Sequence, residues 1–222
     1  MSDFIVEVQN LKKAFAGTLV FRGINLQISP GETISICGNS GSGKTTLVNV
    51  LSLLEPATQG NIFWKNENVT NAKSTKISQL RPKIFGYIFQ QYNLIPELNV
   101  MENLLFPKRI IATIEKSDIE FARKLLEQVR LEGIEGRSIA TLSGGERQRV
   151  AAIRAMINHP PIIIADEPTG SLDMKSADAT MNMIVDLCQA QRSALLLITH
   201  NQRFAERMHT SYALNNESLE RN

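Results

Sequence analysis

A glycine-rich segment between two strongly patterned stretches constrains this chain more than any other feature. Residues 38–45 read Gly-Asn-Ser-Gly-Ser-Gly-Lys-Thr, after an apolar run at Thr33–Cys37 and before a helix-like run at Thr46–Leu54. A short, continuous apolar run is typical of a parallel strand that is buried on both faces. The order of strand, loop and helix predicts an α/β chain in which this loop binds phosphate groups at the start of a helix.

Each residue type in this loop suits the binding of a nucleoside triphosphate. Glycines let backbone N–H groups curl round a phosphate without interference from Cβ atoms, Lys44 reaches the terminal phosphates, and the Thr45 hydroxyl suits Mg²⁺. We therefore predict a triphosphate site with bound Mg²⁺. Its predicted contacts are the loop residues and the residue that follows them: Gly38, Asn39, Ser40, Gly41, Ser42, Gly43, Lys44, Thr45 and Thr46.

Two carboxylates follow a second apolar run. Ile162–Ala165 leads directly into Asp166 and Glu167. Because ligands of α/β folds bind at the carboxyl ends of the strands, we predict that Asp166 holds Mg²⁺. Glu167 is placed to polarise the attacking water as general base. The alternative, an exposed acidic turn before Pro168, is disfavoured by the phosphate loop earlier in the chain.

The octapeptide Leu142–Arg149, Leu-Ser-Gly-Gly-Glu-Arg-Gln-Arg, predicts a helix that begins at an anion site. Ser143 suits the N-cap, and Glu146 is its partner in a capping box. The two glycines between them leave N–H groups bare at the positive end of the helix dipole. A capped surface helix without a ligand is the alternative.

Hydrophobic patterning predicts an antiparallel layer beside the α/β core. Phe4–Val8 and Ile24–Ile28 alternate apolar and polar residues, which indicates half-buried strands. Leu195–Thr199 is another continuous apolar run, as expected of a further buried parallel strand.

Residues 93–158 are helix-like and predict a subdomain inserted into the core. A second capping box is predicted at Ser117 and Glu120, with its helix ending at Gly133. We therefore expect one domain over residues 1–222. Residues 1–92 and 159–222 would form the core with its antiparallel layer, and residues from about 93 to 158 the helical subdomain.

Composition excludes several classes of protein. The net charge is only +2, and the charged residues are spread along the chain, so no surface for nucleic acid is indicated. No apolar run approaches the roughly 20 residues that span a bilayer. The N-terminus lacks the features of a signal peptide, and Cys37 and Cys188 lie in apolar segments, which favours reduced, packed thiols in a cytoplasmic protein.

These segments, in this order, resemble the nucleotide-binding subunit of an ABC transporter over nearly the whole chain. The resemblance implies an ATPase that forms a homodimer when ATP is bound, each subunit covering the ATP held by the other. Ser143, Gly144 and Gly145 would then contact the γ-phosphate across the dimer. It also implies integral membrane permease subunits as partners and a peripheral position on the cytoplasmic face of the inner membrane.

Further positions match that family one by one. Gln90 resembles the glutamine that contacts Mg²⁺ or the attacking water and links the core to the helical subdomain. His200 resembles the switch histidine, which holds the γ-phosphate and the Glu167 region together. Phe15 lies where the family stacks an aromatic ring on adenine, and Phe21 is a less favoured substitute.

Two segments allow alternative interpretations. Residues 171–173, Ser-Leu-Asp, resemble the loop that crosses the dimer interface, although Asp173 also suits the N-cap of the next helix. An apolar set within residues 91–104 indicates either a hinge that faces the membrane subunit or simple packing of the helical subdomain. The residues of this set are Leu94, Ile95, Leu98 and Val100.

Residues 86–104 and 165–173 resemble the group of lipoprotein-releasing, macrolide-exporting and cell-division ATPases. Asn201 follows His200 where Asp is common, and Met156 replaces a usual Leu, but neither departure removes a catalytic group. The implied function is an ATPase subunit that powers a separate membrane subunit. Two alternatives are a soluble ABC-type ATPase without transport, which the weak net charge disfavours, and an ATP-driven regulator of a membrane partner that moves no cargo.

Overall fold

The computed structural model describes residues 4–170 and 172–222. Within them, one sheet is antiparallel and contains β1 (Val6–Phe15), β2 (Thr18–Ile28), β4 (Gln59–Trp64) and β5 (Glu67–Asn68). The other contains β3 (Thr33–Cys37), β6 (Phe85–Ile88), β7 (Ile162–Asp166), β8 (Ala194–Ile198), β9 (Thr210–Asn215) and β10 (Ser218–Arg221). The strand orders are β2-β1-β4-β5 and β10-β9-β3-β8-β7-β6.

The second sheet is parallel from β9 to β6, and β10 adds an antiparallel edge. Its strands β3 and β8 are buried along their whole length, which is why they read as continuous apolar runs. The strands β1 and β2 alternate buried and accessible residues over much of their length because only one face of their sheet packs on the core. The predicted α/β core and antiparallel layer are confirmed.

Helices connect these strands. They are α1 (Lys44–Leu51), α2 (Ser74–Ile84), α3 (Val100–Ile111), α4 (Lys116–Gln128), α5 (Gly144–Met156), α6 (Met174–Gln191) and α7 (Gln202–Ala205). Helices α3, α4 and α5 lie between β6 and β7 in the chain and share an apolar core with α6.

The predicted boundaries of two helices were wrong. Helix α4 begins after Glu115 instead of at Ser117, because the Glu115 N–H donates to the Asp118 carboxylate at 2.8 Å and Asp118 pairs with Lys108 at 2.9 Å. It ends at Gln128, before Gly133. Helix α1 begins at Lys44 instead of Thr46, inside the phosphate loop, and it ends at Leu51.

Helix α5 lies directly against β6 at Gly86. A Cβ atom added to Gly86 would stand 2.0 Å from the Ala155 carbonyl oxygen and 2.8 Å from Ile163 Cδ1. Only a residue without a side chain allows this approach. The helix that carries the octapeptide is therefore packed tightly onto the parallel sheet.

The junction of the two sheets holds the only tryptophan of the sequence. Trp64 on β4 is 3% exposed and donates its ring N–H to the Leu51 carbonyl at the end of α1, at 3.1 Å. Its ring meets Phe85 of β6 edge-on, with centroids 5.3 Å apart. The antiparallel layer, α1 and the parallel sheet thus meet at one side chain.

Both cysteines are buried free thiols, as expected, and burial raises the pKa of Cys188 to about 12. Within the described part of the chain, no helix combines the length and apolar character needed to cross a bilayer.

Candidate functional site

A cavity of about 980 Å³ opens at the carboxyl ends of β3 and β7. Its lining brings together most of the predicted site residues from five separate parts of the chain. These are Phe15, Gly38, Asn39, Ser40, Gly41, Gly43, Lys44, Thr45, Thr46, Gln90, Asp166, Glu167 and His200. Ser42 is not part of the lining, and its hydroxyl lies against Gly38 instead.

The phosphate loop is held in shape by its own lysine and by a left-handed glycine. Gly43 has φ +96°, and a Cβ atom there would meet Val20 Cγ1 at 2.6 Å. The Lys44 ammonium donates to the carbonyls of Gly38 and Asn39, each at 2.8 Å. These bonds tie the loop to the start of α1, and a glycine-rich loop at a helix start is an arrangement whose backbone N–H groups can bind a phosphate.

Oxygen ligands for a hard cation lie at the same end of the cavity. The Thr45 hydroxyl donates to the Asp166 carboxylate at 3.3 Å. Burial raises the pKa of Asp166, and the Thr45 hydrogen bond acts in the opposite direction. A hydroxyl and a carboxylate beside a phosphate site are the oxygen donors that Mg²⁺ prefers, so the donor set fits that ion.

Glu167 is fixed on both carboxylate oxygens. Its Oε1 accepts the His200 backbone N–H at 2.8 Å and lies 2.7 Å from the His200 ring Nδ1. Its Oε2 accepts the Thr199 hydroxyl at 3.4 Å. The side chain of Glu167 is 18% exposed, so it is sheltered yet still faces the cavity. The structure brings the predicted base and the predicted switch histidine into direct contact.

Phe15 presents an open aromatic face to the cavity. It is 46% exposed, and the Lys13 ammonium lies 4.4 Å from its ring centroid. Lys13 is itself anchored by an ion pair with Glu55 at 3.3 Å. Phe21, the less favoured substitute, is fully buried in the core. Of the two rings, Phe15 is therefore the one that a ligand in this cavity can contact.

Gln90 follows β6 and reaches the loop after β7. A Cβ atom on Gly170 would come within 2.9 Å of the Gln90 amide nitrogen. The backbone after Gln90 is fastened to α5, because Arg154 donates to the carbonyls of Tyr92, at 2.8 Å, and Asn93. For the apolar set that follows, the packing alternative holds at two positions: Val100 is buried and Leu94 packs on the core.

The octapeptide forms the predicted capped helix start but lies outside this cavity. Ser143 is the N-cap of α5, its N–H donates to the Glu146 carboxylate at 2.7 Å, and the Glu146 N–H returns to the Ser143 hydroxyl at 3.3 Å. These bonds hold the pKa of Glu146 below its usual range. Ser143 and Gly144 are exposed, and the chain does not fold them onto its own phosphate loop.

Asp173 also lies outside the 980 Å³ cavity. It is the N-cap of α6 and accepts the Ser176 N–H at 3.1 Å, which confirms that alternative. Gly145 and Asp173 border a second cavity of about 860 Å³ beside α6. Ser171, the first residue of the loop assigned to the dimer interface, lies outside the described residues.

Sequence reasoning missed several residues of the cavity wall. The lining also includes Val20, Cys37, Gln202, Ala213, Asn215 and Asn222. Adjacency to the phosphate loop could have indicated Cys37. Asn215 ends β9, which pairs with β3, and Asn222 follows β10, which pairs with β9. Nothing in the local sequence signals these pairings.

Comparison with known proteins identifies the family. The family model described as ABC transporter matches residues 21–170. The chain belongs to the ABC transporter family. The prediction of an ATP-binding and ATP-hydrolysing subunit of such a transporter is therefore confirmed.

Two relatives match this ABC transporter subunit along almost their whole length. The lipoprotein-releasing system ATP-binding protein LolD of Hydrogenovibrio crunogenus is 37% identical, over 96% of this chain and 95% of the relative. LolD of Francisella tularensis subsp. tularensis is 35% identical, over 99% and 97%.

Solved structures show the same fold. A dimeric post-hydrolysis state of the ATP-binding cassette MJ0796 bound to ADP and Pi superposes with a TM-score of 0.85 at 31% identity, covering 97% of both chains. CbiO1 from Clostridium perfringens has a TM-score of 0.89 at 23% identity, covering 98% of this chain and 87% of the other, and supports the fold alone.

Proposed function

We propose that this ABC transporter subunit hydrolyses ATP in the 980 Å³ cavity, with Glu167 as general base. The position of Glu167 supports this most directly. His200 and Thr199 hold its carboxylate at the carboxyl end of β7, beside the phosphate loop. Catalysis of phosphoryl transfer is mainly positioning and charge stabilisation, and these groups arrive already positioned.

Several residues of the cavity have a part in this mechanism. Lys44 exchanges its two loop carbonyls for the β- and γ-phosphates, and the amides of Gly41 and Gly43 donate to the β-phosphate. Phe15 stacks on the adenine ring. Glu167 accepts a proton from the water that attacks the γ-phosphate, and His200 keeps the Glu167 carboxylate oriented while binding the γ-phosphate.

Thr45, Asp166 and Gln90 are the proposed residues for Mg²⁺. The Thr45 hydroxyl and the Asp166 carboxylate are already adjacent, and Gln90 lines the same cavity. Bound there, the ion would neutralise charge that develops on the phosphate oxygens. The Gln90 amide would contact Mg²⁺ or the attacking water, and its backbone links the core to the helical subdomain.

The signature residues Ser143, Gly144 and Gly145 are proposed to act on the nucleotide of a second subunit. Ser143 caps the helix, and Gly144 and Gly145 are its first two residues, yet this chain offers them no phosphate. A head-to-tail homodimer would place them over the partner's phosphate loop. Asp173 and the residues before it would then contact the same interface.

We propose that the membrane component powered by this subunit releases lipoproteins, as the names of the LolD relatives state for theirs. A surface for such a component lies beside Gln90. Tyr87 and Phe89 stack at 5.6 Å, and Phe89 and Phe106 are 37% and 40% exposed around a cavity of about 340 Å³. Docking there would put the subunit at the cytoplasmic face of the inner membrane, next to the hinge of a helical subdomain at about residues 93–158.

The base assignment is tested with Glu167→Gln. The amide keeps the shape of the side chain but cannot take a proton, so ATP binding should persist while turnover falls by about 100-fold or more. Lys44→Ala is the contrasting variant, because it should lose binding itself. Equilibrium binding of ATP and steady-state phosphate release separate the two. Rapid hydrolysis by Glu167→Gln would contradict the assignment.

The shared site and the membrane role need separate measurements. Ser143→Phe should leave ATP binding to the monomer intact and abolish the ATP-dependent dimer, measured for the chain in solution by size-exclusion chromatography with light scattering. Stimulation of ATPase activity by a co-expressed membrane component would support the transporter role. ATP-dependent release of lipoprotein from membrane vesicles would then separate lipoprotein release from a regulator that moves no cargo.

A further inference from the structure

Gln148 is a polar side chain in the buried interior of α5. It is 1% exposed, and its amide Nε2 donates to the Pro168 carbonyl at 2.8 Å. Nearby residues of the helix, such as Val150 and Ala152, are fully buried and apolar. A buried amide among such neighbours is tolerated only with a partner, because an unpaired polar group costs free energy. The contact joins α5 to the loop that follows β7.

That loop holds Glu167 in an unfavourable backbone conformation. Glu167 has φ +45°, in the left-handed region that residues with a Cβ atom avoid. Such a conformation persists where the surroundings hold it. Two backbone bonds do so: the Glu167 N–H donates to the Ile198 carbonyl at 2.9 Å, and the Gly170 N–H donates to the Glu167 carbonyl at 3.1 Å. The Gln148 amide, which belongs to α5, bonds the carbonyl of Pro168, the residue that follows Glu167.

Helix α5 connects this contact to the signature residues. Gln148 is five residues beyond the N-cap Ser143, which corresponds to about 7.5 Å along the helix axis. The helix is capped at Ser143, and beyond Gln148 its Ala155 lies against Gly86 of β6. Because Ser143 and Gln148 belong to one continuous helix, a shift of its start would also move the Gln148 amide relative to the Pro168 carbonyl.

We propose that Gln148 is a positioning residue for Glu167. Its amide keeps the turn that presents the carboxylate and ties that turn to the helix whose first residues face the partner subunit. The inference rests on the proposed role of Glu167 as general base. Hydrolysis in one cavity then depends on the place of the same chain's α5, and hence on whether Ser143 has engaged the partner's nucleotide.

Gln148→Met tests the contact in the full-length chain. Methionine fills a similar volume but cannot donate to the Pro168 carbonyl. We expect kcat for ATP to fall by about 10-fold to 100-fold, as for small misplacements of a catalytic group, with KM within about twofold. Amide exchange at Gly170, whose N–H closes the turn, should become faster. An unchanged kcat, or unchanged exchange at Gly170, would overturn the proposal.

Gln148→Glu supplies a second readout that a merely structural role would not move. An ionised carboxylate has no proton to donate, whereas a protonated one donates as the amide does. Because burial favours the neutral form, the introduced carboxyl should protonate well above the usual pH for Glu. The ratio of its kcat to that of wild type should therefore rise as the pH falls, and Gln148→Met should show no such rise. A flat ratio for Gln148→Glu would also refute the role, even if Gln148→Met fails to fold.

Ile153→Val is the matched control. It loosens α5 within the same core but leaves the Pro168 carbonyl bonded, so kcat should stay at the wild-type value while the protein is mildly destabilised. If Ile153→Val lost as much kcat as Gln148→Met, any loosening of α5 would be enough to lower kcat, and the bond to Pro168 would have no specific role. Failure of the base assignment is separable, because it appears as rapid hydrolysis by Glu167→Gln whatever Gln148 variants do.

Discussion

Gly86→Ala should disturb the subunit through a single methyl group. The added Cβ atom would lie 2.0 Å from the Ala155 carbonyl oxygen, whereas ordinary contacts begin at 3.4 Å. The obstacle is backbone of α5, so no side chain can rotate away and the helix must move from β6 by more than 1 Å. Overpacking of this kind destabilises a core by about 1–3 kcal/mol.

Two measurements follow from this displacement. The melting temperature should fall by about 2–12 °C, at about 2–4 °C per kcal/mol for a domain of this size. The kcat for ATP should fall by about 10-fold or more, because α5 carries Ser143 and Gln148 away from their positions. Thermal unfolding followed by circular dichroism and a steady-state phosphate assay measure the two effects on the same preparation.

Gly136→Ala provides the matched control. A Cβ atom there meets nothing within 4 Å, so the same chemical change should leave both melting temperature and kcat near wild type. If Gly86→Ala melted and hydrolysed ATP as Gly136→Ala does, the tight approach of α5 to the sheet would have no energetic weight. Packing of α5 against Gly86 would then have no effect on activity.

Two further outcomes concern the adenine site and the start of α4. Phe15→Ala should weaken ATP binding by about 10-fold, which is the loss expected for one stacked base, with little change in kcat. Titration with ATP measures this loss, and Phe106→Ala, which removes another exposed ring, is the control that should bind ATP as wild type does. Asp118 accepts the Glu115 N–H and pairs with Lys108, which holds its pKa below the usual range. Its contribution to stability is therefore complete above the unfolded pKa of about 4 and is lost as the pH falls through the lower folded value. Denaturant unfolding should show Asp118→Asn to be less stable than wild type at pH 7, with the gap closing on acidification. A gap that stays constant down to the acid limit would contradict the ion-pair argument.

Local sequence was sufficient where one short segment determines the structure. The capping box of Ser143 and Glu146 depends on neighbours in the chain and forms as predicted. The glycine-rich loop lies between a strand and a helix as predicted, although the helix begins two residues earlier, at Lys44. The box at Ser117 failed because Glu115 and Asp118 offer the same pattern two residues earlier, and Lys108 from another helix decides between them. Helix propensity alone does not distinguish two possible helix starts that are only two residues apart.

Long-range pairing supplied what the sequence could not. Asn215 and Asn222 line the cavity because β9 lies beside β3 and β10 lies beside β9. Strands β3 and β9 are separated by most of the sequence. Gln148 reads as one more residue of a polar octapeptide, yet the fold buries it against Pro168. In both cases the relevant neighbour is set by strand order or helix docking, which hydrophobic periodicity does not encode.

The burial of Trp64 gives this protein a built-in optical reporter. Its indole is the sole tryptophan chromophore of the chain, and it is hydrogen-bonded to the last residue of the helix that begins at Lys44. Excitation at the red edge of aromatic absorption therefore samples one place, the seam between the antiparallel layer and the parallel sheet. A separation of the two layers would expose this indole to water, so its emission should report that event without any attached dye.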